Sequence, residues 1–289
     1  MNLTIEIAKF TLLSLGIVII AKYLLVPVLR KISQLLNLGP KASGNIAGFA
    51  TSVPELLTVA FSAAAGFIGT GVYNILSSNV INFIQYIFSI YLNKNQKYLD
   101  NRAIKTDLFL VIITIFIPIC LIIFNITLNV DIVIVFVLLL ALFYYINYSS
   151  HKLYLGKEEK EILQEEIEEE KKEYRFKRKN KKMVILYWIY LILIAISLYV
   201  IGELLSASLT NLSNSFGLPE FVLGILLGVI TSIPELITFI EAQRKAKKKT
   251  NDETNKLGVI EATNNLLTSN ILNIFAIQSI GILLYTIFS

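Results

Sequence analysis

The chain has 289 residues, of which 55% are hydrophobic and only 16% charged, with a formal net charge of +5. A soluble domain is typically about a quarter charged, so this composition excludes an ordinary soluble enzyme, a nucleic-acid-binding domain and a disordered chain. The positive charge has to be read loop by loop rather than as a nucleic-acid footprint.

Eight apolar segments read as membrane-spanning helices: 3–35, 41–68, 71–92, 104–126, 130–150, 183–215, 218–243 and 257–288. A span needs about 20 such residues. Segments 1 and 6 exceed that length and are expected to tilt or protrude. The N-terminal stretch is too long for a cleaved signal peptide, and no small-residue cleavage site follows it. The connections after segments 1, 3, 5 and 7 carry 24 of the 26 lysines and arginines; the remaining two, Lys9 and Lys22, lie in segment 1. Short basic loops stay in the cytoplasm. Both termini are therefore expected outside and the 151–182 loop inside. That loop is acidic from Glu158 to Glu173 and basic from Arg175 to Lys182. It reads as a solvated helix with a membrane-proximal basic anchor and is too short for a folded domain.

The single cysteine and single histidine exclude a disulfide within the chain and a Cys/His zinc site. Cys120, in an apolar run, reads as a small buried hydrophobe; His151 opens a polar loop and reads as solvated. The sequence has no HExxH, GxGxxG or phosphate-binding GxxxxGKS/T run. No enzymatic activity and no bound cofactor are expected.

Comparing the chain with itself is more informative. Residues 51–58 read TSVPELLT and residues 231–238 read TSIPELIT. Gly44 and Gly48 precede the first copy as Gly224 and Gly228 precede the second. A second motif follows each, NILSSNVIN at 74–82 and NLLTSNILN at 265–273. The TS-P-E copies lie in segments 2 and 7, five crossings apart, so they run in opposite directions across the membrane. The expected fold is an all-α polytopic membrane protein of the inverted-repeat transporter type, with interrupted helices 2 and 7. Its parts are a first repeat over 1–150, a charged cytoplasmic loop over 151–182 and a second repeat over 183–289.

The motif has its own chemistry. Pro54 and Pro234 lack an N–H and clash with the carbonyls at Ala50 and Ile230, so each helix should kink and release carbonyls around Thr51 and Thr231. Glu55 and Glu235 follow directly, and an ionisable group at mid-membrane marks a functional site by default. Asn74, Ser78 and Asn82 share one helix face by their i, i+4, i+8 spacing, as do Asn265, Ser269 and Asn273. Two carboxylates with amide, hydroxyl and carbonyl oxygens suit calcium and not zinc, copper or iron. A lone membrane Ser, Asn or Pro more often only packs or kinks helices; the doubled constellation favours function. Glu203 and Glu261 have no counterpart in the first half and read as a local hydrogen-bonding or gating residue and a cytoplasmic-rim residue.

ATSVPE (50–55) and ITSIPE (230–235), with YNILSSNVIN (73–82) and NNLLTSNILN (264–273), resemble the two α-repeat signatures of the cation/calcium exchanger superfamily, sodium/calcium antiporter type. The resemblance covers segments 1–3 and 6–8 well, and segments 4 and 5 only by hydropathy. It implies that Glu55 and Glu235 bind calcium, and that Thr51 and Thr231 contribute backbone carbonyls. It further implies that Ser52, Ser78, Ser232 and Ser269 line sodium sites, and that Asn82 and Asn273 complete the centre. Helices 1 and 6 would slide against the rest to alternate access. The expected location is a prokaryotic plasma membrane, the lipid bilayer being the surrounding partner. The motif glycines are replaced by Ala50, Tyr73, Ser77, Ile230, Asn264 and Thr268, so packing near the ions must differ. Asn273 stands where many prokaryotic members have Asp. Family members normally have ten helices. The chain is then either a natural short form completed in a homodimer or a degenerate or truncated member.

Three functions follow as expectations. The first is exchange of calcium for sodium. The second is exchange of calcium for protons on the same scaffold, with protonation of the two carboxylates releasing calcium; the four serines favour sodium over it. The third is a non-transporting membrane sensor or scaffold, against which retention of both glutamates argues.

Overall fold

The computed structural model describes residues 3–25, 27–28, 52–154, 181–247 and 252–288. Ten α-helices make up nearly all of them: α1 (Leu3–Ile20), α2 (Val53–Ala64), α3 (Ile68–Leu92), α4 (Arg102–Ile123), α5 (Val130–Tyr154), α6 (Lys181–Thr210), α7 (Glu220–Thr231), α8 (Ile233–Lys247), α9 (Asp252–Ile271) and α10 (Gln278–Phe288). No strand occurs among the described residues. Seven stretches are long and apolar enough to cross a membrane: Leu3–Leu25, Ile68–Leu92, Arg102–Ile123, Val130–Ser150, Ile185–Ser215, Glu220–Arg244 and Gly258–Phe288. These correspond to segments 1 and 3–8. Segment 2 is described from its second half onward, as the 12-residue α2; its first half, Thr51 and most of the 151–182 loop lie outside the described residues.

The interruptions fall where the prolines put them. Ser232 alone separates α7 from α8, and Pro234 is the second residue of α8. Pro54 occupies the same place in α2, behind Ser52. A proline is tolerated in the first turn because that N–H has no intrahelical acceptor anyway. Three further departures are π-helical turns, at Ala21–Leu25 ending α1, at Asn211–Ser215 ending α6, and at Leu272–Ile277 between α9 and α10. The turns at 65–67 and 216–219 are tight. Gly66 (φ 87°) and Gly217 (φ 65°) take the left-handed conformation there, which costs a residue without Cβ nothing.

The interior holds two apolar clusters. One centres on α3, α4, α8, α9 and α10, with Ile75, Tyr86, Val111, Phe239, Leu266 and Phe275. The other joins α1, α6 and α7, with Phe10, Ile17, Leu205, Leu209, Leu223 and Leu227. α7 lies directly on α3. A Cβ on Gly224 would stand 2.6 Å from the Thr70 carbonyl oxygen, and one on Gly228 2.8 Å from that of Asn74. Two glycines four apart let the backbones touch, the small-residue packing typical of membrane helices. The outer face is apolar, with Leu12, Phe116, Phe124, Leu138 and Tyr145 exposed.

Cys120 belongs to that outer face, which corrects the expectation of a buried thiol. In a membrane helix an apolar run identifies lipid-facing and core-facing positions alike, so hydropathy does not separate them. The side chains of His151 and Glu261 lie outside the described residues.

Candidate functional site

The motif residues that are described converge at the crossing of α2, α3, α8 and α9. Ser52, Glu55, Ser78, Asn82, Thr231, Ser232, Glu235, Ser269 and Asn273 are all buried; Thr51 lies outside the described residues. Helices α3 and α9 run antiparallel and are laced by reciprocal side-chain bonds. The Asn79 amide donates to the Asn270 carbonyl (3.4 Å), and the Asn270 amide donates to the Asn79 carbonyl (3.3 Å). The Asn82 amide donates to Asn270 Oδ1 (3.4 Å) and Ser269 Oγ (3.5 Å), while that of Asn273 donates to Asn79 Oδ1 (3.0 Å).

A second layer of bonds pins these helices to the glutamate-bearing ones. The Asn74 amide donates to Thr58 Oγ1 (2.7 Å), and that of Asn265 to Thr238 Oγ1 (3.2 Å). Thr58 and Thr238 stand three residues after Glu55 and Glu235, one turn along the same faces. The two hydroxyls in turn donate to the Glu55 and Glu235 carbonyls. Each glutamate backbone is thus held by an Asn–Thr pair of its own half.

The carboxylates themselves are left open. Glu55 and Glu235 are both 0% exposed, and none of their four oxygens has a hydrogen-bond partner. Glu55 lies beside Thr231 and Glu235, and Glu235 beside Ser269, outside hydrogen-bond geometry. Eleven buried side-chain polar atoms among the described residues lack a partner, and seven of them sit on Glu55, Glu235, Asn82, Asn273 and Ser232. Buried polar atoms are ordinarily paired because leaving them unpaired is costly. The concentration here is what a cation-binding cage of hard oxygens requires. The described residues hold no group of three His, Cys, Asp or Glu side chains, so two carboxylates and neutral oxygens make up the donor set.

The two halves are not equal. Ser52 Oγ meets Ser269 Oγ at 3.4 Å. At the equivalent place Ser78 Oγ meets Thr231 Oγ1, also at 3.4 Å, and Ser232 Oγ is left unpartnered. The π-turn at Leu272–Ile277 contains Asn273, whereas Asn82 lies in regular helix. Such turns are often found at functional positions.

Other expectations fall differently. Glu203 is exposed on α6 and stands apart from the site. The buried carboxylate of the α1–α6 pair is instead Glu6, whose Oε2 accepts from Ser208 Oγ at 3.3 Å. Sequence reading passed over Thr58, Thr238, Asn79 and Asn270, although all four lie inside the quoted repeats. It also passed over Asp107, which accepts from the Asn147 amide at 3.0 Å; no motif includes that residue.

Comparison with known proteins gives the family. No curated protein matches the chain. A solved structure of the sodium-calcium exchanger NCX_Mj, soaked with 10 mM Na+ and zero Ca2+, is similar at 19% identity, covering 98% of this chain and 84% of that one with a TM-score of 0.45. The family model described as "Sodium/calcium exchanger protein" matches residues 7–150 and 186–288. Those residues include both glutamate motifs and all or most of each helix from α1 to α10, and the chain is a membrane protein of the sodium/calcium exchanger family, whose members exchange calcium for another cation.

Proposed function

We propose that the chain is a secondary antiporter that exchanges calcium for sodium by alternating access. The observation that carries this reading is the pair Glu55 and Glu235, fully buried at the centre of the fold with all four carboxylate oxygens unpartnered. In this reading the two carboxylates bind calcium. The unpartnered oxygens of Asn82 and Asn273 complete its shell, and Thr51 and Thr231 add backbone carbonyls at the helix breaks. Ser52, Ser78, Ser232 and Ser269 supply neutral oxygens for sodium. Two ionised carboxylates balance one calcium or two sodium ions, so the ions compete for one site, as exchange requires.

The two repeats, 1–150 and 183–289, present their glutamates from opposite sides. The α1–α6 pair is the moving element. It has its own apolar cluster and meets α7 and α2 through apolar side chains, Leu223, Leu227, Val53 and Leu57 among them, with the Phe61 ring of α2 seated at Gly202 of α6. Alternating access of this kind is rocking of one bundle about a fixed site.

Calcium-45 uptake into proteoliposomes tests the reading. An outward sodium gradient should drive uptake, and a proton gradient of the same size should not. Uptake driven by protons alone would make the protein a calcium/proton exchanger; no uptake under either gradient would refute transport.

A further inference from the structure

Gln278 is 1% exposed, yet neither its amide oxygen nor its amide nitrogen has a partner. It opens α10, just past the π-turn, and belongs to neither repeated motif. A three-helix junction fixes its place. A Cβ on Gly71 would stand 3.3 Å from the Val59 side chain, and one on Gly281 2.7 Å from it, so α3 and α10 both meet α2 at Val59. α2 runs antiparallel to α3 through the turn at 65–67. α3 runs antiparallel to α9 and α10, because side-chain bonds join Tyr86 to Thr263, Asn82 to Asn270 and Asn79 to Asn273. One turn from Val59 toward the helix break therefore brings Glu55 of α2, Asn74 of α3 and Gln278 of α10 to the same level. Asn74 is engaged on both sides, donating to Thr58 and accepting from Ser78 at 3.3 Å. The Gln278 amide is the polar group left over.

The other half shows why it is left over. Gln243 bonds Ser89 at 2.7 Å, and its counterpart Ala63, 180 residues earlier, packs on Gly281. Ser89 thus corresponds to Gly281, and Tyr86 to Gln278, the π-turn having added one residue. Tyr86 spends its hydroxyl on Thr263 at 2.7 Å. The counterpart of Thr263, 191 residues earlier, is Val72, which offers no polar atom. The repeat therefore buries an amide at the level of Glu55 and, among the described residues, supplies nothing for it to bond.

We propose that the Gln278 amide oxygen is a further ligand for a monovalent cation held at Glu55, on the side of that carboxylate away from Glu235. One carboxylate with neutral oxygens balances one positive charge, whereas a divalent ion takes both carboxylates. Gln278 accordingly tunes the affinity for sodium more than that for calcium. This rests on the exchange reading of the site.

The test uses full-length protein with bound calcium-45, displaced by sodium chloride at constant ionic strength. Gln278→Met, apolar and of similar length, should raise the sodium concentration for half-displacement by about tenfold, with calcium affinity in sodium-free buffer changed by less than about twofold. Gln278→Glu keeps an oxygen at the position and should be displaced at or below the wild-type sodium concentration. Wild-type displacement of Gln278→Met overturns the proposal, as does a sodium-resistant Gln278→Glu where Gln278→Met fails to fold. Calcium binding that is lost in Glu55→Gln but behaves as wild type in Gln278→Met removes only the role of Gln278. Wild-type binding that survives Glu55→Gln removes the site itself.

Discussion

Replacing either central glutamate by glutamine keeps the shape of the side chain and removes one charge. Both carboxylates are 0% exposed, and neither has a hydrogen-bond partner to compensate, so in the proposed function a cation is what each oxygen pair would face. At an effective dielectric of about 20, a divalent ion about 3 Å from a lost unit charge forfeits on the order of 10 kcal/mol of gross attraction. Burying a neutral amide is much cheaper than burying a carboxylate, and this recovers most of that loss. A few kcal/mol remain, or about 100-fold or more in calcium affinity. The two substitutions should be nearly equivalent, because each glutamate is backed by its own Asn–Thr pair and lies beside a hydroxyl, Thr231 for Glu55 and Ser269 for Glu235. Glu203→Gln should change little, since Glu203 is exposed on α6. Calcium-45 uptake at matched expression reads the three variants, and a calcium-induced rise in melting temperature reads binding independently of transport. If Glu203→Gln abolishes transport while Glu55→Gln or Glu235→Gln retains it, the assignment of the site is refuted.

Three other substitutions probe the scaffold. Gly224→Ala places a Cβ 2.6 Å from a backbone oxygen of α3, whereas Gly16→Ala meets nothing closer than 3.9 Å; the first should lose about 1–3 kcal/mol of stability in detergent and the second none, and equal melting of the two would dissolve the close-packing argument. Tyr86→Phe removes a 2.7 Å bond to Thr263, whose hydroxyl still donates to the Val259 carbonyl, so a loss of only about 1 kcal/mol is expected in the same measurement. For topology, cysteines placed at the exposed Asn125 and Lys94 in a Cys120→Ser background should react oppositely with an impermeant thiol reagent in intact cells. Labelling at Lys94 and not at Asn125 would invert the orientation.

The repeats exposed the centre because the physics there is local. A proline before a glutamate breaks a helix and places a carboxylate at the break wherever the helix sits, so Glu55, Glu235 and Ser232 were legible. The helix spacing of Asn74, Ser78 and Asn82 was legible for the same reason. What could not be read was which way each position faces. Cys120 and Glu203 sit in apolar runs like those around buried residues, and only packing distinguishes lipid from core. The π-turn at Leu272–Ile277 was invisible because an inserted residue in a helix leaves no residue-type signature. With it, the register of Gln278 was hidden too. Glu6 and Asp107 gave no signal because their partners, Ser208 and Asn147, are brought to them only by the fold.

The orientation of the central amides argues for a cation in a way that residue identity alone does not. An asparagine can present either its oxygen or its nitrogen, and the choice is normally an assignment from surrounding bonds. Here backbone carbonyls settle it. Asn79 and Asn270 each reach a main-chain oxygen, which only an N–H can satisfy, so both must turn their nitrogens there. Their side-chain oxygens are then fixed as acceptors. Asn82 faces Asn270 Oδ1 and Asn273 faces Asn79 Oδ1, so both must present nitrogen to those atoms. The oxygens of Asn82 and Asn273 consequently turn away and remain unpartnered, as do those of Glu55 and Glu235. Each asparagine nitrogen of this inner ring is spent on the scaffold; what is left over is the oxygens of Asn82, Asn273, Glu55 and Glu235, with the Ser232 hydroxyl, which can turn its lone pairs inward. An anion or a sugar would need the reverse or a mixture. A set of buried acceptors whose neighbouring amide nitrogens are all engaged has its lowest energy around a positive charge, and the two main-chain carbonyls of Asn79 and Asn270 are what force that outcome.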